Sequence, residues 1–213
     1  MIEFRNITVK YKDKLVFDHF NLKINNGDKV LLYGKSGTGK SSILKLLLGF
    51  IQPETGEVLI DDSPLDKKSV WQLRRQTAFV NQNLEIGEGS IRKYFQEFFN
   101  LGCNSCISYD EEKILKLFEF FELPDDYLDK EIEELSGGEK QRIAIISSLL
   151  IDREIYLLDE ITSALDTEMK QKVAKFFAKD FDKTLLIVSH DEIWKEFENI
   201  QVVNLNGAAH AKS

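Results

Sequence analysis

Long apolar segments, cysteines and prolines are all scarce in this sequence of 213 residues, which has two cysteines and three prolines. The longest nearly apolar stretches, 46–51 and 143–151, are far shorter than the roughly 18 residues of a membrane-spanning helix. We therefore expect no transmembrane helix. Hydrophobic residues make up 43% of the chain, which is enough to form a core and excludes a disordered protein.

Positive charge is also in deficit. The chain has 28 Lys and Arg against 36 Asp and Glu, a net charge of −8. This acidic balance disfavours sequence-independent binding to nucleic acid, so we expect no nucleic-acid partner. The N-terminal MIEFR lacks the basic and apolar regions of a secretory signal, and a cytoplasmic location is the default expectation.

The two cysteines, Cys103 and Cys106, form a single CxxC. Such a pair can be a redox couple or half of a metal site. A structural zinc needs four ligands, however, and the flanking Asn, Gly and Ser residues are typical of a loop. The pattern therefore favours a loop between helices over a functional site.

The spacing of apolar residues changes twice along the chain. Alternating or wholly apolar runs predict strands at 2–5, 7–11, 22–24, 30–33, 57–60 and 77–80, with a helix over 40–49. From 83 to 150 the apolar residues recur at helical spacing. Afterwards strands are predicted at 155–158, 184–188 and 200–205, and helices at 139–150, 167–179 and 192–197.

This order predicts an α/β fold built on a parallel sheet. We expect one domain, in which 1–82 and 151–206 form the core with its β subdomain. The segment 83–150 is expected to be an inserted helical subdomain. The last residues, 207–213, carry no periodic pattern and are expected to be a tail.

A glycine-rich loop at 34–41, GKSGTGKS, fits the pattern GxxxxGK[ST] between a predicted strand and a predicted helix. Glycines let backbone N–H groups surround an anion, and the helix N-terminus adds its positive dipole end. Lys40 can then reach the β- and γ-phosphates, and Ser41 can ligate Mg²⁺. The residues expected to bind the nucleotide here are Gly34, Lys35, Ser36, Gly37, Thr38, Gly39, Lys40, Ser41 and Ser42. The loop by itself fits kinases, GTPases and ATPases alike.

Two acids, Asp159 and Glu160, follow the apolar run 155–158. Carboxylates at the C-terminal end of a parallel strand face the crevice where ligands of such sheets bind. Asp159 suits the shell of a Mg²⁺ ion, and Glu160 can hold and deprotonate an attacking water. A base at this position indicates hydrolysis more than transfer to a hydroxyl group.

The segment 135–142, LSGGEKQR, decides among the classes of phosphate-loop protein. Ser136 and Glu139 have the spacing of a capping box that opens a helix, and the two glycines inside it expose N–H groups to a second anion. This segment closely resembles the signature of ABC-type ATPases, whose residues here are Leu135, Ser136, Gly137, Gly138 and Glu139. A P-loop kinase is disfavoured by this segment and by Glu160.

The remaining motifs of that family match in the same order along the chain. Tyr11 resembles the aromatic residue that stacks on adenine, and Gln82 resembles the Q-loop glutamine, which implies a catalytic and Mg²⁺-binding role. Ser163 and Asp166 resemble the D-loop, and His190 resembles the switch histidine. The implied catalytic set is Lys40, Gln82, Glu160 and His190, and the implied Mg²⁺ ligands are Ser41, Gln82 and Asp159.

The resemblance implies an ABC cassette, with a RecA-like parallel-sheet core, an N-terminal antiparallel β subdomain and an inserted helical subdomain. It implies ATP and Mg²⁺ as ligands, and a homodimer in the ATP-bound state in which each signature acts on the other copy's nucleotide. A separate transmembrane permease subunit is the expected partner, which implies a peripheral location on the inner face of the cell membrane. The aromatic run 94–99 is a candidate docking face, although its helical spacing also fits a core.

Within the family, the segment 118–125 and Ile161, where most members have proline, resemble a small bacterial group of iron-export ATP-binding subunits. Export of another substrate is the alternative. A non-transport ABC ATPase, in DNA repair or translation, is the competing class. Those proteins have a coiled-coil insertion or two cassettes, and neither is expected within 213 residues.

Overall fold

The computed structural model describes residues 1–11, 14–82, 86–104 and 107–206, and of Tyr11 the backbone alone. Its strands are β1 (Ile2–Tyr11), β2 (Lys14–Ile24), β3 (Lys29–Tyr33), β4 (Thr55–Ile60), β5 (Ser63–Pro64), β6 (Thr77–Val80), β7 (Ile155–Asp159), β8 (Thr184–Ser189) and β9 (Gln201–Asn204). The α-helices are α1 (Lys40–Leu47), α2 (Ser69–Gln76), α3 (Ile91–Asn100), α4 (Glu111–Phe120), α5 (Gly137–Leu150) and α6 (Thr167–Lys175). Short 3₁₀ segments lie at Asp125–Asp129, Ile132–Glu134 and Glu192–Glu196, and a π-helical turn at Phe176–Asp180 follows α6.

A five-stranded parallel sheet in the order β6-β7-β8-β3-β9 carries the site. Its inner strands are almost wholly apolar because both faces of the sheet are covered. On β3, Leu31 packs into a core shared with α3, α4, α5 and α6, whereas Val30 and Leu32 pack into a second core with α1 and the N-terminal strands. The carboxyl ends of all five strands meet at one edge.

A second, antiparallel sheet in the order β2-β1-β4-β5 covers one face of the parallel sheet. Its long hairpin pairs Ile2 with Ile24 and Tyr11 with Lys14. The strands predicted at 2–5 and 7–11 are therefore one strand, β1, with irregular register beside Asn6, whose φ is +51°. β2 also begins well before the predicted 22–24, because it pairs along the whole of β1.

Other differences from the predicted elements have local causes. Helix α2 was not predicted, because only Val70 and Leu73 on it are buried and its composition is polar. The predicted helix 192–197 is a 3₁₀ segment. The predicted fold class is confirmed: both sheets are present, and α3, α4 and α5 lie between β6 and β7 in the sequence. The boundaries 1–82, 83–150 and 151–206 stay a prediction.

In the described part of the chain, no helix combines the length and the apolar composition needed to cross a bilayer. Phe95 and Phe99 from the aromatic run 94–99 are buried in the core, whereas Tyr94 and Phe98 are half-buried. Cys103 is exposed in a turn after α3, and Cys106 lies outside the described residues.

Candidate active site

The loop between β3 and α1 is shaped by a close approach to β2. Gly39 is the N-cap of α1, with a φ of +97° that residues bearing a Cβ rarely adopt. A Cβ there would lie 2.4 Å from Val16 Cγ1 and 2.6 Å from Phe17 Cζ. The loop therefore requires glycine at this position, both for its backbone conformation and for space. It leaves the positive end of α1 facing the carboxyl edge of the sheet.

Lys40, the first residue of α1, folds its side chain back along this loop. Its ammonium donates to the carbonyl oxygens of Gly34 at 2.6 Å and of Lys35 at 3.2 Å. It also lies 3.8 Å from Oε1 of Glu160, and only 8% of its surface is exposed. These contacts hold the ammonium at the phosphate loop, where phosphate oxygens can replace the two carbonyl acceptors.

The outer part of the loop is held by its own hydrogen bonds and by the end of the chain described here. Thr38 Oγ1 donates to the Lys35 carbonyl at 2.9 Å, and the Lys35 N–H donates to Asn206 Oδ1 at 2.9 Å. Asn206 was not among the predicted site residues, because no motif contains it. Its contact depends on β9 lying next to β3.

Asp159, the last residue of β7, is buried next to this loop with 5% of its surface exposed. Burial raises the pKa of its carboxyl, the adjacent Glu160 raises it further, and Lys40 and Lys45 offset this only in part, so that the pKa is about 6. Its Oδ1 atom is buried without a hydrogen-bond partner. A buried carboxylate oxygen with no donor fits a hard cation such as Mg²⁺, which prefers oxygen ligands.

Glu160 turns away from the strand with a φ of +52°, and 6% of its surface is exposed. His190 Nδ1 lies 3.0 Å from Oε1 and 2.9 Å from Oε2 of this carboxylate. The Ser189 hydroxyl and the His190 N–H also donate to Oε2, at 3.3 and 3.4 Å. Glu160 is therefore fixed by the last residue of the neighbouring strand β8, Ser189, and by the residue after it, His190.

Most of the predicted residues meet in one cavity of about 490 Å³, lined by Ser36, Gly37, Gly39, Lys40, Ser41, Ser42, Gln82, Asp159, Glu160 and His190. Lys14 and Val16 of β2 also line this phosphate-loop cavity and were not predicted, since they belong to no phosphate-binding pattern. Gly34, Lys35 and Thr38 support the loop through the bonds above. The side chain of Tyr11 lies outside the described part of the structure, so its expected contact with adenine stays a prediction.

The signature forms the predicted capping box at the start of α5. Ser136 Oγ accepts from the Glu139 N–H at 3.3 Å, and Glu139 Oε2 accepts from the Ser136 N–H at 2.7 Å. Although burial raises the pKa of the Glu139 carboxyl, the hydrogen bonds from Ser136 and Tyr127 and the charge of Lys130 hold it at about 2. This rigid cap leaves Ser136 and Gly137 exposed, while Leu135 is buried.

The signature and the phosphate loop do not share a cavity. Among the described residues that line the phosphate-loop cavity, none belongs to 135–139. The signature instead packs beside the predicted D-loop, where a Cβ on Gly138 would lie 2.9 Å from the Ala164 carbonyl oxygen. In that loop the Ser163 N–H donates to the Glu160 carbonyl at 3.0 Å, and Asp166 caps α6 through the Met169 N–H at 2.9 Å.

Comparison with known proteins agrees with this arrangement. The sequence model of the ABC transporter family matches residues 17–163. The chain belongs to the ABC transporter family. The energy-coupling factor transporter ATP-binding protein EcfA1 of Mycoplasmopsis synoviae is 34% identical over 200 residues, which are 90% of this chain and 74% of that protein.

Two further relatives of this ABC transporter protein differ in size. The ATP-dependent lipid A-core flippase of Escherichia coli K12 is 36% identical over 202 residues, which are 89% of this chain but 34% of the flippase. A bacterial ABC transporter cassette solved as a dimer is 28% identical with a TM-score of 0.77, over 96% of this chain and 95% of that one. The predicted resemblance to ABC transporter ATP-binding proteins is thereby confirmed, and iron export stays a prediction.

The raised pKa of Asp159 predicts that this carboxylate destabilises the fold. Its folded pKa of about 6 lies above the ordinary value of 3.8, so the penalty is complete above pH 6 and fades as the pH falls towards 4. Asp159→Asn should raise the free energy of unfolding at pH 7.5 by roughly 1–2 kcal/mol. This is less than the free energy that corresponds to the full pKa difference, because burying the polar amide of asparagine is also unfavourable.

Urea unfolding without nucleotide at pH 7.5 and pH 4.5 measures this effect, and the gain should be smaller at pH 4.5. Asp182→Asn is the matched control, since it removes the same charge from an exposed position. An Asp159→Asn protein less stable than the wild type at pH 7.5 would contradict the conclusion that the buried Asp159 carboxylate destabilises the fold.

Proposed function

We propose that this chain binds and hydrolyses ATP as the motor subunit of an ABC transporter, acting on a membrane subunit that is a separate chain. The observation that carries the proposal is the buried Glu160 carboxylate, which lies 3.8 Å from the Lys40 ammonium and is hydrogen-bonded by the segment 189–190. A general base fixed beside a phosphate-binding lysine is suited to hydrolysis of a phosphoanhydride.

In the proposed binding mode, the loop 34–42 surrounds the triphosphate. Lys40 exchanges its carbonyl contacts for phosphate oxygens, a substitution favoured because a charged acceptor makes the stronger hydrogen bond. Tyr11 is proposed to stack on the adenine ring. Ser41, Gln82 and Asp159 hold Mg²⁺, and the orphaned Asp159 oxygen supports this assignment. When bound, Mg²⁺ neutralises charge on the β- and γ-phosphates.

In the proposed reaction, a water molecule attacks the γ-phosphorus. The bond between the γ-phosphorus and the oxygen that bridges it to the β-phosphate breaks at the same time. Glu160 Oε accepts the proton of the water, ADP leaves with the bridging oxygen, and phosphate is released. His190 contacts the carboxylate through Nδ1, and its side chain is 63% exposed, which supports the proposal that it also contacts the nucleotide. Gln82 is proposed to act with the Mg²⁺ ion at the cavity wall.

The proposed active form is a homodimer of two ATP-bound chains. Each signature, Leu135 to Glu139, completes the site of the other copy, with Ser136 and Gly138 directed at its γ-phosphate and Ser163 and Asp166 at the interface. Two observations support this arrangement: the signature does not line the cavity of its own chain, and Ser136 and Gly137 are exposed. A cassette of similar fold was itself solved as a dimer.

The proposed permease contact is a groove beside the nucleotide site. Two cavities of about 470 and 370 Å³ share Phe79 and Asn81, and we call them together the aromatic groove; its other aromatic residues are Phe50, Tyr94 and Phe98. Phe50 is 63% and Phe79 is 40% exposed. Exposed aromatic side chains in a concave surface are typical of binding sites for protein partners.

The groove also reaches the nucleotide site. Ser41, Gln82 and Asp159 line both the smaller groove cavity and the phosphate-loop cavity. A permease segment seated there would contact the same residues that are proposed to hold Mg²⁺, which gives a short route between hydrolysis and transport. This partner implies a peripheral location on the cytoplasmic face of the membrane, and the name of EcfA1 as a transporter's ATP-binding protein supports it.

The cargo is proposed to be metal, with iron export as the specific hypothesis from the segment 118–125 and Ile161. The relatives reported above are named for energy coupling and for lipid A-core flipping. Cargo would contact the permease and not this chain, so the test is ATP hydrolysis by the co-purified complex with and without added iron. Stimulation by iron supports the hypothesis, and an equal rate rejects it.

Glu160→Gln is expected to lower kcat by at least about 100-fold, because the water loses its base, while ATP affinity changes little. With MgATP this variant should elute from size-exclusion chromatography as a dimer, since the bound nucleotide is not consumed. Lys40→Ala is the comparison variant and should lose ATP affinity instead.

Either half of this prediction can fail separately. Turnover by Glu160→Gln near the wild-type rate would contradict the role of the base. A monomer at saturating MgATP would contradict the shared site, and retained affinity in Lys40→Ala would contradict the phosphate-loop assignment.

Phe50→Ala is expected to reduce co-purification of the chain with its membrane subunit, because Phe50 lines the aromatic groove. Trp71→Ala is a matched control: both aromatic rings lie 4.8 Å from the Arg74 guanidinium and both are more than half exposed, but Trp71 lines neither groove cavity. The measurement is the amount of membrane subunit retained by each tagged chain from detergent extracts of native membranes. Equal retention by the two variants would reject the groove as the docking site.

A further inference from the structure

A second group of polar side chains lies behind the active site and takes no part in the mechanism above. Thr162, two residues after Glu160, is completely buried, and its hydroxyl donates to Asp191 Oδ2 at 2.6 Å. Lys170 of α6 pairs with the same carboxylate, 3.2 Å from Oδ1 and 3.1 Å from Oδ2. We call these three residues the Asp191 network.

The carboxylate at the centre of this network is ionised and well satisfied. Although burial raises the pKa of Asp191, the hydrogen bonds from Thr162 and Lys170 and the charge of Lys170 hold it below its usual range. A partly buried carboxylate with a short hydroxyl bond and an ammonium partner has one well-defined position. Asp191 therefore anchors its own backbone to the segment after β7 and to α6.

That backbone connects the network to Glu160. The Asp191 N–H donates to Ser189 Oγ at 3.0 Å, and the Ser189 hydroxyl in turn donates to Glu160 Oε2 at 3.3 Å. His190, between these two residues, contacts the same carboxylate through its N–H and its ring. The hydrogen bonds to the Glu160 carboxylate thus come from Ser189 and His190, and Asp191, the next residue, fixes the end of this segment.

We infer that Asp191 is a positioning residue for the proposed hydrolysis: held by Thr162 and Lys170, it fixes the segment from which Ser189 and His190 orient the Glu160 carboxylate. This inference rests on the proposed function. No member of the network is among the described residues that line the phosphate-loop cavity. Substitution of a network residue should therefore change the orientation of the Glu160 carboxylate and leave the affinity for nucleotide unchanged.

The network also joins the base to the neighbourhood of the signature. Lys170 is on α6, whose N-cap is Asp166, and Thr162 lies just before Ser163 and Ala164, the latter beside Gly138.

The test is steady-state hydrolysis of MgATP by the full chain with substitutions in the network. Thr162→Val and Asp191→Asn should lower kcat by about tenfold or more, because a small displacement of a catalytic group has a large effect on rate, and KM should stay within about twofold. Thr162→Ser keeps the hydroxyl and should restore most of kcat. Thermal unfolding of each variant identifies proteins that are merely unstable.

Lys170→Met and Lys172→Met form a matched pair on the same helix. Lys172 makes a shorter ion pair, 2.6 Å from Glu122 Oε1, with a residue that has no hydrogen bond or ion pair to the described residues of the Asp191 network. Lys170→Met should lower kcat and Lys172→Met should not. If Thr162→Val does not fold, Asp191→Asn and this pair decide the outcome, since their side chains are partly exposed.

The possible failures are distinguishable. Wild-type kcat in folded Asp191→Asn and Thr162→Val, beside an inactive Glu160→Gln, would overturn the inference alone. A rise in KM equal to the fall in kcat/KM would also overturn it, since the network would then act on binding. Equal rates for the wild type and Glu160→Gln would overturn the proposed function and the inference with it.

Discussion

The burial of two adjacent carboxylates beside one ammonium is the constraint on which the rest of this structure depends. Asp159 and Glu160 are each almost inaccessible, and Lys40 lies 3.8 Å from only one of them. Burial is the largest cause of the raised pKa of Asp159, about 6, and the charge of Glu160 adds to it, whereas Lys40 and Lys45 offset it only in part. The buried carboxylates therefore favour a bound divalent cation, which would relieve the excess of negative charge.

The fold keeps these charges in place through the parallel sheet. Asp159 and Glu160 lie at the carboxyl end of β7, and Ser189 and His190 lie at the same end of the adjacent β8. The phosphate loop follows β3 at this edge as well. Both faces of these strands are covered by apolar cores, so the edge is rigid. The aromatic groove adjoins that edge through Ser41, Gln82 and Asp159, and Ser136 and Gly137 of the signature are exposed away from the phosphate-loop cavity.

Local patterns made much of this site predictable from the sequence. The phosphate loop, the capping box of Ser136 and Glu139, and the buried strands are each encoded within a few consecutive residues, and the structure has all three. Contacts between distant segments were not predictable. Thr162 and Asp191 are 29 residues apart, and only the pairing of β7 with β8 brings them together. Asn206 and Lys14 were missed for the same reason, and α2 was missed because most of its surface is polar.

The most direct test of the shared-site account mixes two chains that are each expected to be inactive. Glu160→Gln lacks the base but has an intact signature, whereas Ser136→Arg has the base and a blocked signature. In a mixed dimer, the nucleotide site of the Ser136→Arg chain faces the intact signature of its partner. Mixing equal amounts before adding MgATP should restore up to roughly a quarter of the wild-type rate, because half of the dimers are mixed and each has one intact site. A mixture no faster than the two separate variants would contradict a site completed by a second copy.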